Sequence, residues 1–249
     1  MRAILAAIVL TVLPGLVLAQ PAPLYEARAI VTGTDMRQRP DGFARCLLDV
    51  LAKLTGNPTV RDDPRAQDVA VQADTLIEDF AYADRMADKP VMDEQGSRDR
   101  PYTLTCRFVP SKVDAAMARI GLHPWRGSRP RLLGLVTMTE RSGDSYALRA
   151  DTVKGDRPRN AFLDAADRMG VRLTLPTDGA PPPSGLVPLE GTLRWSEPDL
   201  GWVADWSLTW RERQYRWRIA GVSYDEAFRK GIDSAAEIMS GNATRMPVR

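Results

Sequence analysis

The pattern that most constrains the fold runs from Leu189 to Met239. Leu189 to Trp195, Trp202 to Trp210 and Tyr215 to Ala220 are three runs with apolar residues at every second position. Short polar turns join them. The segment Tyr224 to Met239 then changes period, placing Ala227, Phe228, Ile232, Ala235, Ala236 and Met239 at helical spacing. Alternation at period two reads as strand, and apolar spacing of three and four reads as helix. Strands joined by tight turns pair antiparallel, and an amphipathic helix must bury its stripe against something. The C-terminal region is therefore expected to be an antiparallel sheet closed by one helix. Trp202, Trp206 and Trp210 fall on one strand face with Ala204 and Leu208 between them, and Tyr215, Trp217 and Ile219 continue it. Arg216 and Arg218 point the other way. This face is either an aromatic platform for sugar rings or peptide, or the floor on which Phe228 and Ile232 pack. The closing helix needs such a floor, which favours the core.

The same reading carries along the chain. Leu24 to Val31 predicts a strand, and Arg37 to Leu54 a helix with Pro40 in its first turn. Gly56 stops that helix and Asn57-Pro58 prevents its continuation. A second helix begins at Pro64. Leu76 to Arg85 and the strand carrying Tyr102, Leu104, Cys106 and Phe108 flank the polar stretch from Ala87 to Arg100, the signature of a long-looped hairpin. Ser111 to Asp114 resembles a capping box opening a helix that ends at Gly121. Arg131 to Thr139 is an apolar strand, Tyr146 to Ala150 its return, and Asn160 to Met169 a helix. Val171 to Leu175 is a short strand, and the segment Pro176 to Pro188 an exposed linker. Strands and helices mix without the alternation of a parallel doubly wound sheet. The expected class is α+β, two small helix-covered, mainly antiparallel sheets. The expected divisions are a leader over 1–19, an N-terminal module over 20–126, a C-terminal module over 127–241 and a flexible tail over 242–249.

Residues 1–19 carry one charge at Arg2, an uncharged run from Ala3 to Leu18 and a small residue, Ala19, before Gln20-Pro21. That is the three-part pattern of a secretory signal peptide, and the run falls short of the about 20 apolar residues of a membrane span. The expected location is periplasmic, as a soluble protein with no integral membrane segment once the leader is removed. The chain has 34 basic and 32 acidic residues. This balance argues against nucleic-acid partners, which want a basic excess. Cys46 and Cys106 are the only cysteines, and export would permit a disulfide between them. Cys46 lies beside the apolar stripe of the first long helix, and Cys106 faces inward on a strand. A bridge would close a loop of about 60 residues, worth roughly 4 kcal/mol in the chain-entropy model. The alternative is two separate buried thiols.

The segment Gly121-Leu122-His123-Pro124-Trp125-Arg126-Gly127-Ser128-Arg129-Pro130, followed by an apolar strand, resembles a family of exported proteobacterial proteins. That family is the domain of unknown function number two-thousand-sixty-six. Leu24-Tyr25-Glu26-Ala27, Leu51 to Asn57 and Trp202 to Leu208 match it collinearly. Related chains carry a longer helical insert where this one has Pro176 to Pro188. The resemblance implies a compartment and an architecture, and no activity.

No catalytic set stands out. His123 is the only histidine, which rules out sites built on two histidines. It sits in a Gly-Leu-His-Pro turn, where solvent exposure is the ordinary outcome. No G-x-S-x-G elbow occurs, and no phosphate loop or dinucleotide fingerprint. Two cysteines and one histidine fall one ligand short of a structural zinc site. Asp62-Asp63 reads as a helix cap. No cofactor and no metal are expected. Trp125 and Arg129, at the module boundary, are the expected binding residues, with an interdomain plug as the other reading. The expected function is a non-enzymatic binding or accessory protein of the cell envelope, with an envelope protein or peptidoglycan as partner. The alternative is an envelope hydrolase using a carboxylate pair.

Overall fold

The computed structural model describes residues 24–88, 92–93, 96–97 and 100–242. The leader over 1–19 and nearly all of the tail lie outside them. The fold is α+β, with two mainly antiparallel sheets covered by helices.

The first sheet holds β1 (Glu26–Thr32), β2 (Ile77–Asp84) and β5 (Pro101–Phe108) in the order β1-β5-β2, all antiparallel. Between β2 and β5 stand two short strands, β3 (Met92–Asp93) and β4 (Gly96–Ser97), which pair with each other. On one face lies α1 (Arg39–Thr55), flanked by α2 (Pro64–Ala70) and α3 (Pro110–Arg119). The stripe Phe43, Leu47, Val50, Leu51 and Leu54 packs on Leu104, Cys106 and Phe108. Along β5, Thr103 and Thr105 alternate with the buried Leu104 and Cys106, so they turn to the opposite face with Arg28 and Ile30 of β1. An antiparallel sheet can leave one side to water, and this uncovered side becomes a wall of the site below.

The second sheet holds β6 (Arg131–Thr139), β7 (Ser145–Ala147), β8 (Arg172–Thr174), β9 (Val187–Ser196), β10 (Gly201–Trp210) and β11 (Arg213–Val222). Its order is β11-β10-β9-β6-β7, with β8 also on β6. The three strands expected from alternation form the antiparallel meander β9-β10-β11. The pairings of β6 with β8 and with β9 are parallel. Two helices cover this sheet, α4 (Asp156–Arg168) and α5 (Tyr224–Ser240). Trp206 lies beneath α5, 2% exposed, with Phe162, Phe228 and Trp217 around its ring at 5.7, 6.2 and 6.4 Å. Trp202 and Trp210 pack against the same core, half-buried. The aromatic face is therefore the floor of the closing helix.

One local reading fails. α3 begins at Pro110 with Val109 before it and no side-chain cap. Asp114, expected in a capping box, instead accepts a hydrogen bond from the Tyr25 hydroxyl at 2.8 Å. Proline at the first helical position needs no N–H partner and presets φ, so the helix starts without the box. Asp63 does cap α2, accepting from the Arg65 amide.

Candidate functional site

The last turn of an α-helix leaves its carbonyls without intrahelical partners. At the end of α1 the donors come from remote parts of the chain. Arg129 Nη2 donates to the Lys53 carbonyl at 2.5 Å, and the Trp125 amide to that of Leu54 at 2.8 Å. Asn242 Nδ2 donates to Thr55 at 2.6 Å and Ser240 Oγ to Gly56 at 3.2 Å. Gly56 has φ +66°, and a Cβ there would stand 2.7 Å from both Trp125 and Ser240. Only glycine fits this contact. Trp125 and Arg129, the expected binding residues, meet in this junction, with the guanidinium 4.4 Å from the indole centroid. A second hydrogen bond runs from Arg129 to the Met169 carbonyl at 3.3 Å. Burial lowers the Arg129 pKa from 12.5 to about 10.

Beside this clamp lies a charged cluster that sequence reasoning did not find. Asp49 of α1, almost buried, accepts from Arg61 Nε at 2.6 Å and from Arg168 Nη2 at 2.8 Å. Arg61 also reaches Asp233 of α5 at 3.4 Å. Burial alone would lower the Arg168 pKa, but the Asp49 hydrogen bond and carboxylate charge leave it raised. Burial raises the Asp233 carboxyl, against the pull of Arg61 and Arg168. Lys53 is 2% exposed and donates to the Glu26 carbonyl at 2.7 Å. Burial lowers its pKa, opposed by Asp167, Asp49 and Glu26.

Above the cluster the two sheets' layers part to leave a cleft of about 950 Å³. One wall is the first sheet and α1, carrying Arg28, Ile30, Thr103, Arg45 and Leu48, with Arg85 just past β2. The other is α4 and the start of α5, carrying Asp164, Asp167 and Asp225, with Arg168 and Arg229 there engaged by Asp49 and Glu226. Asp164 and Asp167 share a helix face at a spacing of three. Burial raises the Asp164 carboxyl, and Asp167 adds to it, while Arg28 and Arg85 pull it back. Among the described residues, neither Arg28 and Arg85 nor Asp164, Asp167 and Asp225 makes an ion pair or a side-chain hydrogen bond. The arginines are close enough to Asp164 to act on its charge, yet none pairs with it. In the cluster below, by contrast, charges of both signs are joined.

Cys46 and Cys106 are fully buried, as free thiols, where α1 crosses β5. The Cys46 Sγ lies 3.7 Å from the Ala27 carbonyl oxygen and 4.0 Å from that of Leu104. A hydrogen bond with the Cys106 thiol and burial push the Cys46 thiol far up. The fold brings the two sulfurs together and keeps both from water. His123 is exposed in its turn. Among the described residues no group of three or more His, Cys, Asp or Glu is arranged to hold a metal ion, and no helix is long and apolar enough to cross a membrane.

Residues 19–126 match a family model described as a domain of unknown function (DUF8605), less than half of the chain. No curated protein matches. A solved chain described as "Crystal structure of uncharacterized protein" is 9% identical and covers 47% of this chain and 92% of its own, with a TM-score of 0.21. At that score the likeness carries no structural argument.

Proposed function

We propose that this chain is an exported, non-enzymatic binding or accessory protein of the cell envelope, and that the cleft between its two sheets is where it binds. The observation that carries the reading is the contrast in pairing. The charges at the base of the cleft are paired and hold the two halves together, whereas Arg28 and Arg85 on one wall and Asp164, Asp167 and Asp225 on the other make no ion pair among the described residues. Concave sites with a few convergent polar groups are the usual places for ligands. The leader pattern in residues 1–19 and the resemblance to an exported family of number two-thousand-sixty-six support export and an envelope role.

Amide hydrogen exchange tests the cleft. The purified protein is mixed with detergent-solubilised envelope proteins or with a peptidoglycan digest. Protection of residues 27–30, 161–168 and 223–229 is expected with one of the two. Protection with neither overturns the reading. Export has its own check, by fractionating the producing cells and counting thiols in denatured, unreduced protein. Recovery in the periplasm with no reactive thiols supports export and a Cys46–Cys106 bridge. Cytoplasmic recovery overturns export, and two reactive thiols overturn the bridge.

One observation favours the alternative, an envelope hydrolase. A carboxyl with a raised pKa beside a second carboxylate is the arrangement of a general acid and its partner, and Asp164 stands so beside Asp167. Turnover of a peptidoglycan digest that disappears in Asp164→Asn, with binding retained, would establish it in place of the binding reading.

A further inference from the structure

Unpaired charges of opposite sign on opposed walls select against ligands of a single charge. The sheet wall offers the unpaired Arg28 and Arg85 and the helix wall the unpaired Asp164 and Asp225, while Arg168 and Arg229 on the helix wall are already held by Asp49 and Glu226. A simple anion attracted by the arginines meets the aspartates, and a simple cation meets the reverse. The lining also includes apolar side chains, Ile30, 55% exposed, on the sheet and the half-buried Leu48 on α1. The cleft, at about 950 Å³, exceeds what one amino acid fills. We infer that it takes a short zwitterionic peptide with small apolar side chains, its carboxylate on Arg28 and Arg85 and its ammonium on Asp164 and Asp225. This rests on the reading of the cleft as a binding site. Guanidinium groups recognise carboxylates through paired, charge-assisted hydrogen bonds, and the two aspartates supply acceptors for an ammonium, which only donates. The small side chains lie along Ile30, which otherwise stays in water.

Calorimetry of the full chain at neutral pH and low salt tests this with four probes. They are tri-alanine, N-acetyl-tri-alanine, tri-alanine amide and inorganic phosphate. Tri-alanine is expected to bind, and each blocked peptide to bind about tenfold or more weakly, the scale of losing a hydrogen bond to a charged group. Arg28→Ala should abolish the discrimination against the amide, and Asp164→Asn that against the acetylated peptide. Equal binding of the blocked peptides, or binding of phosphate without tri-alanine, overturns the zwitterion assignment. If envelope material protects the cleft from exchange and tri-alanine does not bind, the ligand class is wrong and the binding reading stands. Failure of both experiments removes both.

Discussion

Asp164 is a carboxylate that the fold tolerates without stabilising. It has no ion-pair partner among the described residues, and burial together with Asp167 raises its pKa above the ordinary 3.8. A carboxyl raised in the folded state favours folding in acid, and that contribution is lost as pH rises through its folded value. Asp164→Asn removes the penalty, so at neutral pH the variant should melt higher than the parent. The gain should stay under about 1 kcal/mol because the group is partly solvated, and it should vanish as pH falls below 3.8. Melting curves across pH would decide it, and a variant less stable at neutral pH would contradict the assignment. Groups that cost stability are retained where function needs them, which agrees with a ligand-facing role. Residues of this kind were invisible in the sequence. Asp49 and Lys53 lie one helical turn apart beside an apolar stripe, a place where charged residues usually face water. What buries them is Arg168, 119 positions on, and the carbonyl of Glu26 on a neighbouring strand.

Among the elements, α5 and the meander beneath it meet through two glycines. A Cβ at Gly191 of β9 or at Gly231 of α5 would stand 2.6 Å from the ring of Trp206. The indole lies between them. Alanine in place of a mid-helix glycine ordinarily stabilises by about 1 kcal/mol. Here the added methyl meets a ring with no room to move, and overpacking costs about 1–3 kcal/mol. Gly231→Ala should therefore lower the melting temperature. In a Trp206→Leu background the same change should become neutral or stabilising, and a double-mutant cycle measures that coupling. Additive effects would show that the close contact is not what decides. The elements themselves were legible. Arg131 to Thr139 forms the strand read from its apolar run, and Gly56 ends α1 in the left-handed conformation. The floor role of Trp206 followed from the need of an amphipathic helix for a partner surface. The glycines were not legible, because their reason is a ring brought in by another strand.

Across the whole molecule, the end of α1 is completed by the second half of the chain, and Asp49 binds arginines from both halves. Removing one member of a buried ion cluster strands the others, at about 3–5 kcal/mol. Asp49→Ala leaves Arg61 and Arg168 facing each other, and since Arg168 is partly solvated the loss should fall near the lower end, about 3 kcal/mol. Urea unfolding followed by tryptophan fluorescence reads it. The parent should unfold in one transition, because neither half closes its own junction, and a loss below about 0.5 kcal/mol would deny the cluster its role. By itself the amino-acid order determined what is local. It set the strands and helices through their periods, the helix ends through glycine and proline, and the α+β class through the sequence of those elements. The tertiary structure alone decided which charges are paired and which face an open cleft. Pairing depends on side chains separated by 12 to 172 positions, and no periodicity along a chain records which distant groups folding will bring within hydrogen-bond reach.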